Sequence, residues 1–376
     1  MHVAAALSRA GDGGIAAAEA ADNVGARIGV GCDLVVVFAT ADHADEMASI
    51  AAAVEARLEP GVIVGAVAQG VVGPDEEVEA GPGVSVWAAD LDGAQPQAFR
   101  SWSVRTPDGG IAVAGWPDPQ LDEVTLVLAD PFSFPATEVI TRIGDQRPGH
   151  RIVGGLVSGG AGQSRLLLDG RIHEDGAVGV VLPAAAVRTI VSHGCRPVGT
   201  PLTVTAAERN RILELAGESA TSRLQALLEE VDAQDRELLR TGGLHLGLVV
   251  DHQQDHYLTG DFRIRGVLGI DPDAGSITVG DLIEIGQVVQ FQVRDGRSAT
   301  DDLQRRMAGV GPAEGGLLFT CNGRGRRLFG APDHDVTLVG RELGGPVAGA
   351  FCAGEIGPVG DRSELHGFTA SVVVLG

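Results

Sequence analysis

The stretch DLVVVFA at residues 33–39, followed after a helical spacing by VIVGAVAQG at 62–70, has two counterparts further along the chain. VTLVLA at 124–129 precedes IVGGLVSG at 152–159, and GLLFTC at 316–321 precedes VAGAFCAG at 347–354. Each set is completed downstream by another apolar run, at Val84–Ala88, Val178–Leu182 and Thr369–Leu375. Two glycines stand at one separation in all three sets: Gly65 and Gly70, Gly154 and Gly159, Gly349 and Gly354. The runs are near-continuous Val, Ile and Leu, which is the pattern of strands buried on both faces. Between the first two runs, Met47, Ile50, Val54 and Leu58 recur at helical spacing, with Thr40 or Asp42 as the cap and Pro60-Gly61 as the stop.

The repeated unit is therefore strand, helix, strand, turn and hairpin. It predicts a layered α/β fold: mixed β-sheets built from repeated β-α-β-β units, helices on the outer faces, and a pseudo-symmetric two-domain body. The glycine pairs read as turn and packing positions in the first two units. In the third, a ligand cradle stands beside that reading. Residues 1–196 form the first expected domain, two repeat units after a short N-terminal helical segment, and residues 197–376 the second, cut near Arg196-Pro197. The second half adds a hairpin from Leu202 and Ile212, a helix over 218–231, strands at His245, Phe262, Ser276, Leu282 and Val288, and a helix over 299–307.

Composition sets aside several functions. The 376 residues carry a net charge of −22, and all 28 basic residues are Arg. Without Lys there is neither a Schiff-base lysine nor a phosphate-loop lysine, and without a basic stripe nucleic acid and anionic membranes are poor partners. Hydrophobic residues make up 44%, enough to build sizeable cores. The four cysteines, Cys32, Cys195, Cys321 and Cys352, are widely spaced, as in a reducing compartment. No basic leader or membrane-length apolar run is visible, so a cytoplasmic protein is expected. No cofactor motif is present: G-x-S-x-G, H-E-x-x-H and Walker A are all missing, and Gly11-Asp-Gly-Gly14 has no evident strand before it.

The densest group of unusual residues is Cys321, Asn322, Gly323, Arg324 and Gly325, at the end of a predicted strand, where α/β proteins place ligands. Arg324 offers a planar fork to a carboxylate, or pairs with an acidic neighbour within its own turn. Gly354 and Glu355 follow closely, with Glu355 suited to an amino group or to Arg324 itself. Arg294, on the opposite strand face from Phe291 and Val293, reaches a polar cleft or solvent, and Arg265 is a further candidate. Cys321 with His366 is a conceivable nucleophile and base, and His252 and His256 have metal-ligand spacing within a polar loop.

In these motifs the chain resembles the FIST family, with an N-terminal and a C-terminal FIST domain side by side. The first half rests on 33–43, 60–73 and 79–87, and the second on 262–275, 288–295, 299–303, 317–325, 347–358 and 365–370. The resemblance implies an intracellular sensory module that binds small ligands such as amino acids, commonly joined to signalling outputs. Here no output domain is apparent, so a separate signalling protein is the expected partner. The expected function is ligand binding without catalysis by Arg265, Arg294, the Cys321–Gly325 loop, Gly354 and Glu355. An enzyme with a Cys321 nucleophile and a protein-interaction module are the alternatives.

Overall fold

The computed structural model of the chain describes residues 1–118, 120–157, 159, 164–250, 257 and 261–376. It is a mixed α/β protein with two compact units. The first comprises Met1–Val191, Leu303–Leu365 and Thr369–Gly376, and the second Ser192–Asp302 with His366–Phe368. The second unit is thus spliced into the third repeat, after its edge strand Val187–His193.

In each repeat an opening strand and a second strand lie parallel, and a return strand lies antiparallel to the first. In repeat one these are Leu34–Thr40, Val62–Ala68 and Val84–Asp90. Repeat two has Glu123–Ala129, Arg151–Leu156 and Ala177–Pro183. Repeat three has Gly315–Cys321, Val347–Cys352 and Thr369–Leu375. A further strand flanks each return strand: His2–Ser8, Gln97–Arg105 and Val187–His193, the second of them followed by Ile111–Ala114 at the sheet edge.

The hairpins do not stay with their own sheets. Val71–Val72 and Glu77–Val78 of repeat one add to Val347–Cys352 of repeat three. Leu166–Leu168 and Arg171–His173 of repeat two add to Val62–Ala68 of repeat one. Gly354–Val359 and Arg362–His366 of repeat three add to Arg151–Leu156 of repeat two. The exchange runs in a closed cycle through three equivalent sheets.

The inner sheet faces meet in one apolar core that takes Val36, Phe38 and Trp87 from repeat one, Leu126 and Leu128 from repeat two, and Leu317 and Phe319 from repeat three. Phe38 and Phe319 meet edge to face at 6.0 Å. Helices cover the outer faces. Gly13–Ile28 and Met47–Leu58 cover the first sheet, Ala136–Gln146 the second, and His334–Leu343 with Leu303 and Met307 the third. Met47, Ile50, Ala51, Val54 and Leu58 form the buried stripe, and that helix ends at left-handed Glu59 before Pro60.

The second unit is a closed antiparallel barrel. Its ring runs Val288–Arg294, Leu202–Glu208, Arg211–Leu215, Ser276–Val279, Phe262–Asp271, Leu244–Val249 and back to Val288–Arg294. Val204, Leu246, Val289, Phe291 and Val293 fill it, together with Leu224 and Leu227 of helix Ala220–Glu230.

Several expectations change. The chain opens with a strand, His2–Ser8, where a short helical segment was expected; alanine-rich HVAAALS carries little of the β-branched signal that marks a strand. Gly11–Gly14 therefore does join strand to helix, yet the Glu46 carboxylate already accepts the Gly13 N–H at 2.8 Å and Asp12 caps Ile15. Thr40 does not cap a helix; its hydroxyl accepts the Gly83 N–H at 3.1 Å, and a 3₁₀ turn, Ala41–Glu46, intervenes. Leu282–Ile285 is not a strand: it lies outside the ladder, with Leu282 and Ile285 exposed and only Ile283 of the run turned into the barrel core.

The first glycine of each pair lies inside the second strand, directly opposite Val37, Val127 or Leu318. A methyl group on Gly65, Gly154 or Gly349 would stand 2.2, 2.0 or 1.8 Å from the carbonyl oxygen of that partner. Packing explains this glycine in all three repeats. Gly65→Ala, Gly154→Ala and Gly349→Ala are each expected to lower unfolding free energy by about 2 kcal/mol or more. Gly309→Ala, where nothing lies within 4 Å, is expected to stay within about 0.5 kcal/mol. Urea denaturation of the four variants checks this.

Candidate functional site

The ends of the three opening strands are equivalent by register, and Thr40, Asp130 and Cys321 occupy the same place. Asp130 is satisfied by the hydroxyls of Ser133 and Ser164, as Thr40 is by Gly83. The third end is built differently. The Arg324 N–H donates to the Cys321 carbonyl at 2.8 Å, which closes a tight turn, and the Asn322 N–H donates to Cys352 at 2.8 Å. Gly325 has φ +66, and a side chain there would strike the Glu79 carboxylate at 2.7 Å.

That turn folds Arg324 inward until its side chain is fully buried. Its Nε and Nη2 donate to Asp335 Oδ2 and Oδ1 at 2.6 and 2.9 Å, a bidentate pair. Asp335 also accepts from the Thr320 hydroxyl at 2.8 Å and lies 2.9 Å from His334 Nδ1. Phe329 lies under the guanidinium at 5.2 Å and stacks on His334. Burial pushes the Asp335 carboxyl up, but the Arg324 charge and hydrogen bonds outweigh it and hold the group well below the usual carboxylate range. The Arg324 partner is therefore Asp335, not Glu355.

Glu355 is completely buried on the exchanged hairpin. One oxygen accepts from the Thr369 N–H at 3.1 Å and from its hydroxyl at 2.7 Å, while the other has no N–H or O–H partner. Burial raises its pKa from 4.5 to about 8, although Thr369, Arg324 and a hydrogen bond from the Cys321 thiol act in the other direction. Near neutral pH this carboxyl is mostly protonated, so it is not a counter-ion to Arg324. Arg324 Nη1 and Asn322 Oδ1 are likewise buried without partners.

The sequence reading missed two acids. Glu77 arrives on the hairpin donated by repeat one; its Oε1 accepts the Val336 N–H at 2.9 Å, and burial followed by the charge of Asp335 raises its pKa to about 8. Glu79 comes from the same segment and accepts the Arg326 N–H at 2.9 Å. The acidic run Glu76-Glu77-Val78-Glu79 and the triplet Asp333-His334-Asp335 were the available signals, but the two are separated by more than 250 residues.

The structure thus brings together Cys321, Asn322, Gly323, Arg324, Gly325, Gly354 and Glu355 in the first unit. Arg265 and Arg294 lie in the second. Arg265 donates to Asp281 at 2.8 Å, and Arg294 sits over the Phe368 ring at 5.6 Å. His366 is also in the second unit, edge-on to His193 at 5.6 Å. His252 and His256 lie outside the described residues, and among the described residues no group of three metal-binding side chains occurs. No helix among them is long and apolar enough to cross a membrane.

The chain is matched by two family models: the FIST N domain over residues 33–218 and the FIST C domain over 220–358. The chain belongs to the FIST family, whose domains are associated with sensory binding of small ligands. It is similar to the uncharacterized protein MT0656 of Mycobacterium tuberculosis, at 42% identity over 383 residues, covering 100% of this chain and 99% of that one. It is also similar to the uncharacterized protein Mb0898c of Mycobacterium bovis, at 41% identity over 349 residues, covering 91% and 90%.

Two outcomes follow from the buried charges. Arg324→Ala leaves Asp335 uncompensated and is expected to cost about 3–5 kcal/mol, measured by urea unfolding. Between pH 4.5 and 8 the folded chain keeps protons on Glu77 and Glu355 that the unfolded chain has released. Unfolding free energy therefore falls as pH rises through that window and levels off above it. Glu355→Gln keeps a neutral group in place, so its unfolding free energy should fall less steeply than that of the wild type. An unchanged slope would remove Glu355 from this account.

Proposed function

We propose that this chain is a sensory protein that binds a small polar molecule, an amino acid being the first class to test, at the Cys321–Gly325 turn and without turnover. What supports this reading is the set of buried polar atoms with unspent hydrogen-bonding capacity: Arg324 Nη1, Glu355 Oε1 and Asn322 Oδ1. Folded proteins satisfy nearly all such groups. A carboxylate would accept from Arg324 and from protonated Glu355, and an ammonium would donate to Asn322. Arg324 and Glu355 are closed off from solvent, so the ligand enters by displacing the half-buried rim, Asn322 and Gly323. Coupling binding to that displacement is what a sensor needs, and a separate signalling protein would read the altered surface.

Binding is favoured over covalent chemistry at Cys321 because that residue is buried, whereas reactive cysteines sit partially exposed. Thermal-shift measurement of the purified chain against the amino acids tests the proposal. At about 100 times its dissociation constant a ligand stabilises by about 2.7 kcal/mol. Asn322→Ala, at the half-buried rim, is expected to fold normally and to lose the shift. No shift with any amino acid, or a shift unchanged in Asn322→Ala, would overturn it.

A further inference from the structure

A second concave region lies in repeat two. It is a cavity of about 340 Å³ against strand Ile111–Ala114 and helix Ala136–Gln146, with apolar walls from Ile111, Val113, Trp116, Val139 and Ile143. Phe99, edge-on at 5.4 Å, and Phe134, stacked at 6.1 Å, hold the Trp116 ring in place. A neighbouring cavity of about 370 Å³ shares Ile111, Pro135 and Glu138 and continues the apolar surface through Phe132 and Leu156. Phe132 and Ile111 are 68% and 62% exposed, a large area of apolar side chain for one rim.

Two charged side chains line the first cavity, and they differ in what balances them. Glu138 stands in the first turn of its helix, whose N-terminus has no side-chain cap, so its negative charge is favoured by the positive end of the helix dipole. Arg142 stands one turn further on, exposed, and among the described residues no carboxylate pairs with it. Its neighbours are taken: Arg147 by Asp118, and Arg362 by Asp145. In a chain of net charge −22, a cation left unpaired beside an apolar cavity is the group that would select an anion.

We propose that this groove binds a small monocarboxylate with an apolar, ring-sized body, its carboxylate on Arg142 and its body against Trp116, Ile111 and Val139. This site is independent of the Cys321–Gly325 turn, so Asn322→Ala leaves it unchanged. Calorimetric titration of the full chain with phenylacetate and with its neutral counterpart phenylacetamide tests it. The acid is expected to bind about tenfold more tightly, equivalent to about 1.4 kcal/mol. Arg142→Gln should abolish that difference and leave amide binding intact, and Glu138→Gln should strengthen acid binding. Val113→Trp should fill the groove and abolish both, and where it fails to fold, Ile111→Asp on the exposed rim serves instead. Equal affinity for acid and amide, a difference that survives Arg142→Gln, no binding of either by the wild type, or weakening in Glu138→Gln would each overturn the proposal.

Discussion

None of the three sheets of the first unit can be completed by its own repeat, and the rest of that unit depends on this constraint. Each second strand offers an edge that only a hairpin from another repeat covers, in the cycle one to three, two to one and three to two. An uncovered strand edge is a row of unpaired backbone groups, so no repeat is complete until all three have assembled. The glycine opposite Val37, Val127 or Leu318 belongs to the same construction, since only a residue without Cβ lets that second strand lie so close to its neighbour's carbonyl. This also accounts for how the third repeat tolerates the barrel inserted after Val187–His193. Its sheet is completed by the repeat-one hairpin and its own hairpin is held by repeat two, rather than by continuity of the chain.

The same exchange makes the chemistry of the candidate site. Glu77 and Glu79 reach the third strand end because the repeat-one hairpin is delivered there, and Glu355 is buried because its own hairpin is delivered to repeat two. Burial then separates the fates of the acids. Asp335 faces a guanidinium at hydrogen-bond distance and stays ionised, whereas Glu355 and Glu77 have only neutral donors and hold their protons to about pH 8. The outcome is an ion pair saturated on one side and, on the other, a set of neutral or half-satisfied groups with bonding capacity to spare. Threefold pseudo-symmetry sharpens the contrast, since the equivalent residues Thr40 and Asp130 find hydroxyl or backbone partners.

Much of the architecture was legible because burial on both faces writes itself as unbroken Val, Ile and Leu. The three opening, second and return strands were readable that way, as was the helix ending at Leu58. His2–Ser8 was not, since alanine carries little strand preference, and Leu282–Ile285 misled because four apolar-rich residues in a loop look like a strand. Within the site, the Cys321–Gly325 turn announced itself by composition, and a carboxylate partner for Arg324 was one of the two readings its chemistry allowed. That the partner is Asp335 and not Glu355 was beyond periodicity, which orders side chains along one element and says nothing about which elements meet.

The sequence by itself determined the repeat, the buried strands, the positions where glycine is needed and the absence of a lysine-based or phosphate-loop chemistry, because each is a property of local pattern or of composition. Only the tertiary structure decided which hairpin joins which sheet, which acid neutralises Arg324 and which carboxyl keeps its proton. Those depend on neighbours far apart along the chain, such as Glu77 and Val336, 259 residues apart. Hydrogen bonding and desolvation act over a few ångströms of space, whatever the distance along the chain.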